Sequence, residues 1–397
     1  MGIFDFQRID RLPPYVFTIV KQYKDQTEAH GKRVLDFGMG NPDQPPPPHI
    51  IDKLVEVTQK PDVHRYSVSH GVDDLRSALC RWYQRKYDVT LDPEQEAIVT
   101  IGSKEGLSHL ALAIINPGDL VFSPSPAYPI HHYAPIISGG LVHHIPVGPK
   151  EDFLDNVKQA FKKASPRPKI IFLNFPHNPT AACVELDFYR DIVEFALEQD
   201  ILLVNDLAYS EVAFDGYVPP SILQIPGAKD IAVEFYSMSK TYNMPGWRVG
   251  FCAGNAKVVA ALRRMKSYLD YGMPQPVQIA AAAALNGPQS CVDDIRDLYQ
   301  KRRDQLCDGL NSVGWAVERP RATMFVWAEI PEEFKAIGSL KFSKYLIEEA
   351  GVALSPGIGF GDFGDEYVRI SLLGSEVEIA EAVDNIGGAL NRRAVAA

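Results

Sequence analysis

Long apolar runs are missing from this sequence. No stretch of its 397 residues approaches the length of a membrane span, which sets aside a transmembrane role and a membrane partner. A basic surplus is missing too. Forty Lys and Arg face 50 Asp and Glu, a formal charge of −10, whereas nucleic acid wants a basic face. Cysteines are few and ill-spaced: Cys80, Cys183, Cys252, Cys291 and Cys307 contain no Cys-x-x-Cys pair. Neither a disulfide framework nor a zinc site is expected, and reduced thiols in a cytoplasmic setting are. The opening Met-Gly-Ile-Phe-Asp-Phe-Gln-Arg has no basic-then-apolar leader pattern. Repeats are absent, and so is low-complexity sequence beyond Pro45 to Pro48. The His131-His132 and His143-His144 pairs lack helical ligand spacing and a third ligand, so no metal is expected. Gly359-Phe-Gly361-Asp-Phe-Gly364 fits a Gly-x-Gly-x-x-Gly string, but the strand-like Tyr367-Val-Arg-Ile370 follows where a dinucleotide site needs a helix.

What is present is length enough for more than one core, and an alternation of buried strands with helices that reads as an α/β fold with a mostly parallel sheet. Residues 1–30 are mixed and polar and read as an arm packed on something else. Arg33 to Phe37 reads as a strand, ending at Gly38-Met-Gly40, where glycine permits either a plain turn or close backbone approach to a ligand. The proline run Pro45–Pro48 is extended and marks a crossing between domains. Helices are expected over 50–59, from Asp73, and over 105–115, 185–199, 257–269 and 291–311, with an alanine-rich one ending at Gly287-Pro288. A change of composition there marks a boundary, and short strands with two helices make a smaller α+β domain beyond it.

Polar residues recur just past the strands. The strand 97–100 runs into Gly102-Ser103-Lys104, read as a loop before a helix N-terminus, an arrangement suited to an anion. Tyr128 follows the strand 120–123; it suits either stacking on a flat ring or ordinary packing. Asn178 follows the strand 169–173 in the loop Asn174-Phe-Pro-His-Asn178-Pro-Thr180, as a positioned donor or a turn former. The strand 201–204 ends in Asn205-Asp206-Leu-Ala-Tyr209. A carboxylate there needs a cationic or hydrogen-bonded partner unless it caps a helix. In open α/β sheets, ligands bind outside the carboxyl ends of the strands, so these positions share one place. Arg369, inside the apolar run 367–371, needs an anion as partner, and its planar fork matches a carboxylate.

The stretch 231–252 adds a nucleophile. Two apolar runs flank a polar loop holding Ser237, Ser239 and Lys240, with Arg248 at the start of the second run. Burial between core strands disfavours an ammonium and frees an amine for Schiff-base chemistry with a carbonyl compound. A lone loop lysine is ordinarily just solvated; a neighbouring hydroxyl and guanidinium point instead to a phosphorylated aldehyde. Ser237-x-x-Lys240 also fits a β-lactamase signature, but the partner motifs Ser-Asp-Asn and Lys-Thr-Gly occur nowhere.

The pattern Ser237-x-Ser239-Lys240-x-x-x-x-x-Gly246-x-Arg248-x-Gly250 closely resembles the lysine signature of fold-type I pyridoxal-phosphate aminotransferases of classes I and II. The resemblance covers nearly the whole chain. Arg8-Ile-Asp-Arg-Leu-Pro-Pro-Tyr-Val-Phe17 and Ser355-Pro-Gly-Ile-Gly-Phe-Gly-Asp362 look most like the bacterial alanine-forming glutamate–pyruvate branch, with diaminopimelate aminotransferases as near relatives. Thr180-Ala181, where the family normally has Thr-Gly, fits those branches.

The resemblance implies a large domain over 45–288 and a small domain over 289–397, to which residues 1–44 contribute an arm. It implies pyridoxal phosphate held by Gly102, Ser103, Lys104, Tyr128, Asn178, Asp206, Tyr209, Ser237, Lys240 and Arg248. Lys240, Asp206 and Tyr209 would be the catalytic set. Gly40, Asn178, Arg369 and Tyr15 would face an amino-acid or 2-oxo-acid substrate, and Tyr66 would reach the neighbouring site of a homodimer. A carbon–sulfur lyase shares this fold. So does a cofactor-sensing transcription regulator, for whose DNA-binding module the first 30 residues leave no room.

Overall fold

The computed structural model of the chain describes residue 4 and residues 6–394, without side chains at 7, 8, 393 and 394. Met1 to Ile3 and Asp5 of the opening octapeptide, and residues 395–397, lie outside the described residues.

Twelve strands are described, in chain order β1 (Leu35–Asp36), β2 (Ala97–Ile101), β3 (Leu120–Ser125), β4 (Leu141–Pro146), β5 (Pro168–Leu173), β6 (Leu202–Asp206), β7 (Ala232–Ser237), β8 (Val249–Gly254), β9 (Phe325–Glu329), β10 (Val352–Ala353), β11 (Ser355–Pro356) and β12 (Tyr367–Ser371). Seven of them form one sheet in the order β2-β8-β7-β6-β5-β3-β4. Strand β8 pairs antiparallel with both neighbours, and the remaining pairs are parallel. The carboxyl ends of β2, β3, β5, β6 and β7 therefore share one edge with the start of β8. The central strands read as continuous apolar runs because both faces are covered. Leu203 packs into the core on one side with Tyr189, Ile192 and Tyr236. Its neighbour Val204 joins Leu107, Phe235 and Leu262 on the other.

A second core lies around the three-stranded antiparallel sheet β11-β12-β9, with Tyr299, Leu306 and Leu310 of the helix Ser290–Ser312 and Phe342 and Leu346 of the helix Gly338–Ala350. Gly351, left-handed at φ +65°, ends the latter helix as the glycine there predicts. Two short segments pair across the chain's length, β1 with β10 in parallel register.

Several sequence expectations need correction. Residues 16–29 form a helix, whose Val20 packs with Val34, Ile347 and Ala353. Its mixed, weakly amphipathic composition hid it. Ser103 and Lys104 do not lie in a loop but open the helix Ser103–Ile114. Nor is Lys240 in an irregular loop: it belongs to a helical turn, Met238–Thr241, whose N-terminus is capped by Ser237 Oγ accepting from Ser239 N–H at 3.2 Å. Pro48 begins a helix, Pro48–Thr58, since proline suits the first helical position. Among the described residues no helix is long and apolar enough to cross a membrane.

Candidate active site

The shared edge of the large sheet opens into a cavity of about 200 Å³. Its walls include Tyr15, Gly40, Ser103, Lys104, Tyr128, Asn178, Asp206, Tyr209, Ser237, Lys240, Arg248 and Arg369. Four basic side chains line it against one carboxylate, Asp206, although the chain as a whole is acidic.

Lys240 is half-buried and lines the cavity. Its Nζ donates to Gly40 O at 2.7 Å. Burial, reinforced by Arg369 and Arg248, brings its pKa from 10.5 down to about 7. A large share of this lysine is thus free amine at neutral pH.

Asp206 ends β6 and is buried. One oxygen, Oδ2, meets His131 Nε2 at 3.0 Å; Oδ1 has no hydrogen-bond partner. A buried carboxylate oxygen left unpaired is costly, so this atom calls for a donor from within the cavity. His131 comes from the helix Pro129–Ile137, just after Tyr128, which caps it. Asn178 Nδ2 donates to the Tyr209 hydroxyl at 3.3 Å, and Asn178 N–H to Asn174 Oδ1 at 2.9 Å. Burial raises the pKa of Tyr209 and pushes that of Tyr128 up to about 12, so both remain O–H donors.

Ser103 and Lys104 lie in the first turn of the helix Ser103–Ile114, where free N–H groups gather. Ser237 ends β7, and Arg248 enters β8 with φ +59°. The Arg248 guanidinium donates to Pro245 O at 2.8 Å; among the described residues no carboxylate pairs with it. Gly102 lies beneath it: a Cβ there would come within 2.4 Å of Arg248 Nη2. A Cβ on Gly250 would come within 2.6 Å of Ser103 N. Two glycines thus keep an anion cradle open. Burial, with Arg248 nearby, lowers the pKa of Lys104.

Arg369 is 4% exposed. It donates to Asn178 Oδ1 at 2.9 Å and Gly38 O at 3.0 Å, and its plane lies 4.0 Å from the ring centre of Phe325. Its Nε is unpaired, and no carboxylate reaches it among the described residues. A buried guanidinium held by neutral groups alone is a receptor for an anion. Tyr15 lies near enough to Arg369 for the guanidinium to oppose the burial that raises the tyrosine's pKa.

Tyr66 is not brought to this cavity. It is 88% exposed and meets Tyr271 with tilted rings, centroids 5.1 Å apart, beside a separate groove. Sequence reasoning missed Phe17, Met39 and Phe325, which supply the apolar wall, and His131 beneath Asp206. The His131-His132 doublet was its only signal. His132 binds Ser123 Oγ and Phe360 O instead. Glu105, His109 and Asp270 cluster elsewhere, within 4.8 Å of one another, but the fully buried Lys266 ammonium already lies among them, 2.8 Å from Glu105 and 3.1 Å from Asp270.

Residues 32–386 match the family model described as aminotransferase class I and II. The glutamate-pyruvate aminotransferase AlaC of Escherichia coli is 53% identical over 381 residues, 96% of this chain and 92% of that protein. An LL-diaminopimelate aminotransferase of Moorella thermoacetica is 42% identical, over 97% of this chain and 98% of that protein. Among solved structures, apo-BacF of Bacillus subtilis superposes with a TM-score of 0.91 at 35% identity, covering 98% of both chains.

Proposed function

The chain belongs to the class I and II aminotransferases and is a transaminase; from that premise we propose that it uses pyridoxal 5'-phosphate to move an amino group from glutamate to pyruvate. One observation carries the cofactor assignment. A lysine amine of pKa about 7 shares a cavity with a buried carboxylate oxygen that lacks a donor. The cradle of Ser103, Lys104, Ser237 and Arg248 suits a phosphate, and the glycines that keep it clear fit the same group.

When bound, pyridoxal phosphate supplies an aldehyde and an electron sink. Lys240 would provide the amine that holds it. As a free amine, Lys240 Nζ would take the proton from the substrate's α-carbon as base and give it up again as acid; a pKa near 7 suits both duties. Asp206, with Oδ1 unpaired, would accept a ring N–H of such a group, and His131 fixes the carboxylate's orientation through Oδ2. Tyr209 donates its hydroxyl, oriented by Asn178. Arg369 and the Gly40 backbone receive the substrate carboxylate, with Tyr15 beside them. Phe17, Met39 and Phe325 supply the apolar part of the cavity wall.

The choice of glutamate and pyruvate rests on likeness to AlaC over 96% of the chain. The diaminopimelate aminotransferase at 42% identity favours a second donor class. A panel of amino donors against pyruvate and 2-oxoglutarate decides between them. Fastest turnover with glutamate and pyruvate is expected; preference for a diaminopimelate donor would reassign the substrate. Release of pyruvate and ammonia from cysteine conjugates without any oxo-acid acceptor would favour a lyase. Replacing Lys240 by Ala is expected to abolish turnover and visible absorbance together. We further place the protein in the cytoplasm as a homodimer, with residues 45–288 as the large domain, 289–397 as the small one and 1–44 as an arm shared with it. The exposed Tyr66–Tyr271 groove supports the dimer.

A further inference from the structure

We infer that the ion pair between Asp43 and Arg302 is a positioning device for Lys240, holding the Gly40 carbonyl against the amine and tying that contact to the small-domain helix Ser290–Ser312. The segment from Gly38 to Asp43 crosses the cavity and is fixed at both ends. At one end Gly38 O accepts from Arg369 Nη2 at 3.0 Å and Ser355 Oγ at 2.6 Å. At the other, the Asp43 carboxylate takes both prongs of Arg302 at 2.9 Å each, and the Gly374 N–H at 2.9 Å. Between the anchors lies Gly40, whose carbonyl accepts from Lys240 Nζ at 2.7 Å.

The link from Asp43 to Gly40 is short and stiff. Pro42 is buried and has a fixed φ. Asn41 N–H folds back to Met39 O at 2.8 Å. Gly40 itself rests on Phe325, where a Cβ would come within 2.6 Å of the ring. Arg302 is 4% exposed and also donates to Leu372 O at 3.2 Å; its helix neighbours Tyr299 and Leu306 belong to the small-domain core. A bidentate guanidinium–carboxylate pair fixes direction as well as distance. Displacing that helix would therefore displace the Gly40 carbonyl.

The carbonyl matters to the amine because a charged donor makes the stronger hydrogen bond. Gly40 O favours the ammonium, while Arg248, Arg369 and burial oppose it. Around Asp43 the charged groups are Arg302 and Glu378. Without the pair the carbonyl drifts, the ammonium loses its acceptor, and the proton is lost at lower pH.

The inference rests on Lys240 as the reactive amine, and its test keeps the two apart. Full-length protein freed of cofactor is labelled with acetic anhydride across pH, and Lys240 is followed by peptide mass spectrometry. Native protein is expected to show a midpoint about 7. Asp43→Asn and Arg302→Met are expected to lower it by about half a pH unit or more, and Arg302→Lys, with a cation but no fork, by less. An unmoved or raised midpoint in both Asp43→Asn and Arg302→Met, with native circular dichroism and a lower Tm, would show the pair to be structural only and overturn the inference. An ordinary lysine midpoint in native protein would overturn the reading of the amine first, and this inference with it.

Discussion

At the scale of single residues, the chemistry comes from groups held in states they would not adopt in water. Lys240 has a folded pKa of about 7 against an ordinary 10.5. Between those values the unfolded chain binds a proton that the folded chain has shed, so this residue makes stability rise with pH across that window. Below it the cost of the cavity-bound ammonium is felt in full. Lys240→Met should therefore stabilise the cofactor-free protein by about 1–3 kcal/mol at pH 6, and by less at pH 10; paired thermal melts measure both. Arg369 is a buried cation waiting for an anion. Arg369→Lys keeps the charge but loses the fork, and should raise KM for amino and oxo acids about 10–100-fold while leaving bound-cofactor absorbance in place. Unchanged KM would move substrate carboxylate binding elsewhere. Both residues were legible in the sequence, since a charged residue inside or between apolar runs demands an explanation. The partners were not. His131 lies 75 positions from Asp206 and Arg302 lies 259 from Asp43, and no local pattern encodes such pairs.

At the scale of elements, the strand ends place the site, and their apolar runs made most of them readable. Strand β12 and the helix beginning at Asp73 fall where the pattern put them. Strand β4 escaped notice because it is the sheet's edge, with His143 and His144 exposed. The first turn of the helix Ser103–Ile114 looks like loop in the sequence because Gly102-Ser103-Lys104 carries no apolar stripe. Its conformation depends on the glycine before it, at φ +75° under Arg248. Gly102→Ala adds a Cβ into the guanidinium and strains the turn. It should weaken pyridoxal-phosphate binding about tenfold or more and leave the far-UV spectrum unchanged. Native affinity measured by cofactor titration would show that the cradle tolerates Arg248 elsewhere.

At the scale of the whole molecule, the expectation of two domains rests on length, the proline run and the change of composition near Pro288. The N-terminal helix was lost in a mixed sequence that only tertiary packing orders. Tyr66 lies exposed beside Tyr271, away from the cavity of its own chain. If each subunit of a homodimer lends Tyr66 to the other, mixing Lys240→Ala with Tyr66→Ala subunits restores native sites in half of the hybrid dimer. Equimolar mixing should then recover about a quarter of native activity, beyond the sum of the two parents. Activity no greater than that sum would confine each site to its own chain.

The most direct test of the account is borohydride reduction of the native protein with pyridoxal phosphate, followed by peptide mapping. A single phosphopyridoxyl adduct on Lys240, absent without reduction, is the result expected. No adduct, or one on another lysine while Lys240 stays unmodified, would contradict the account.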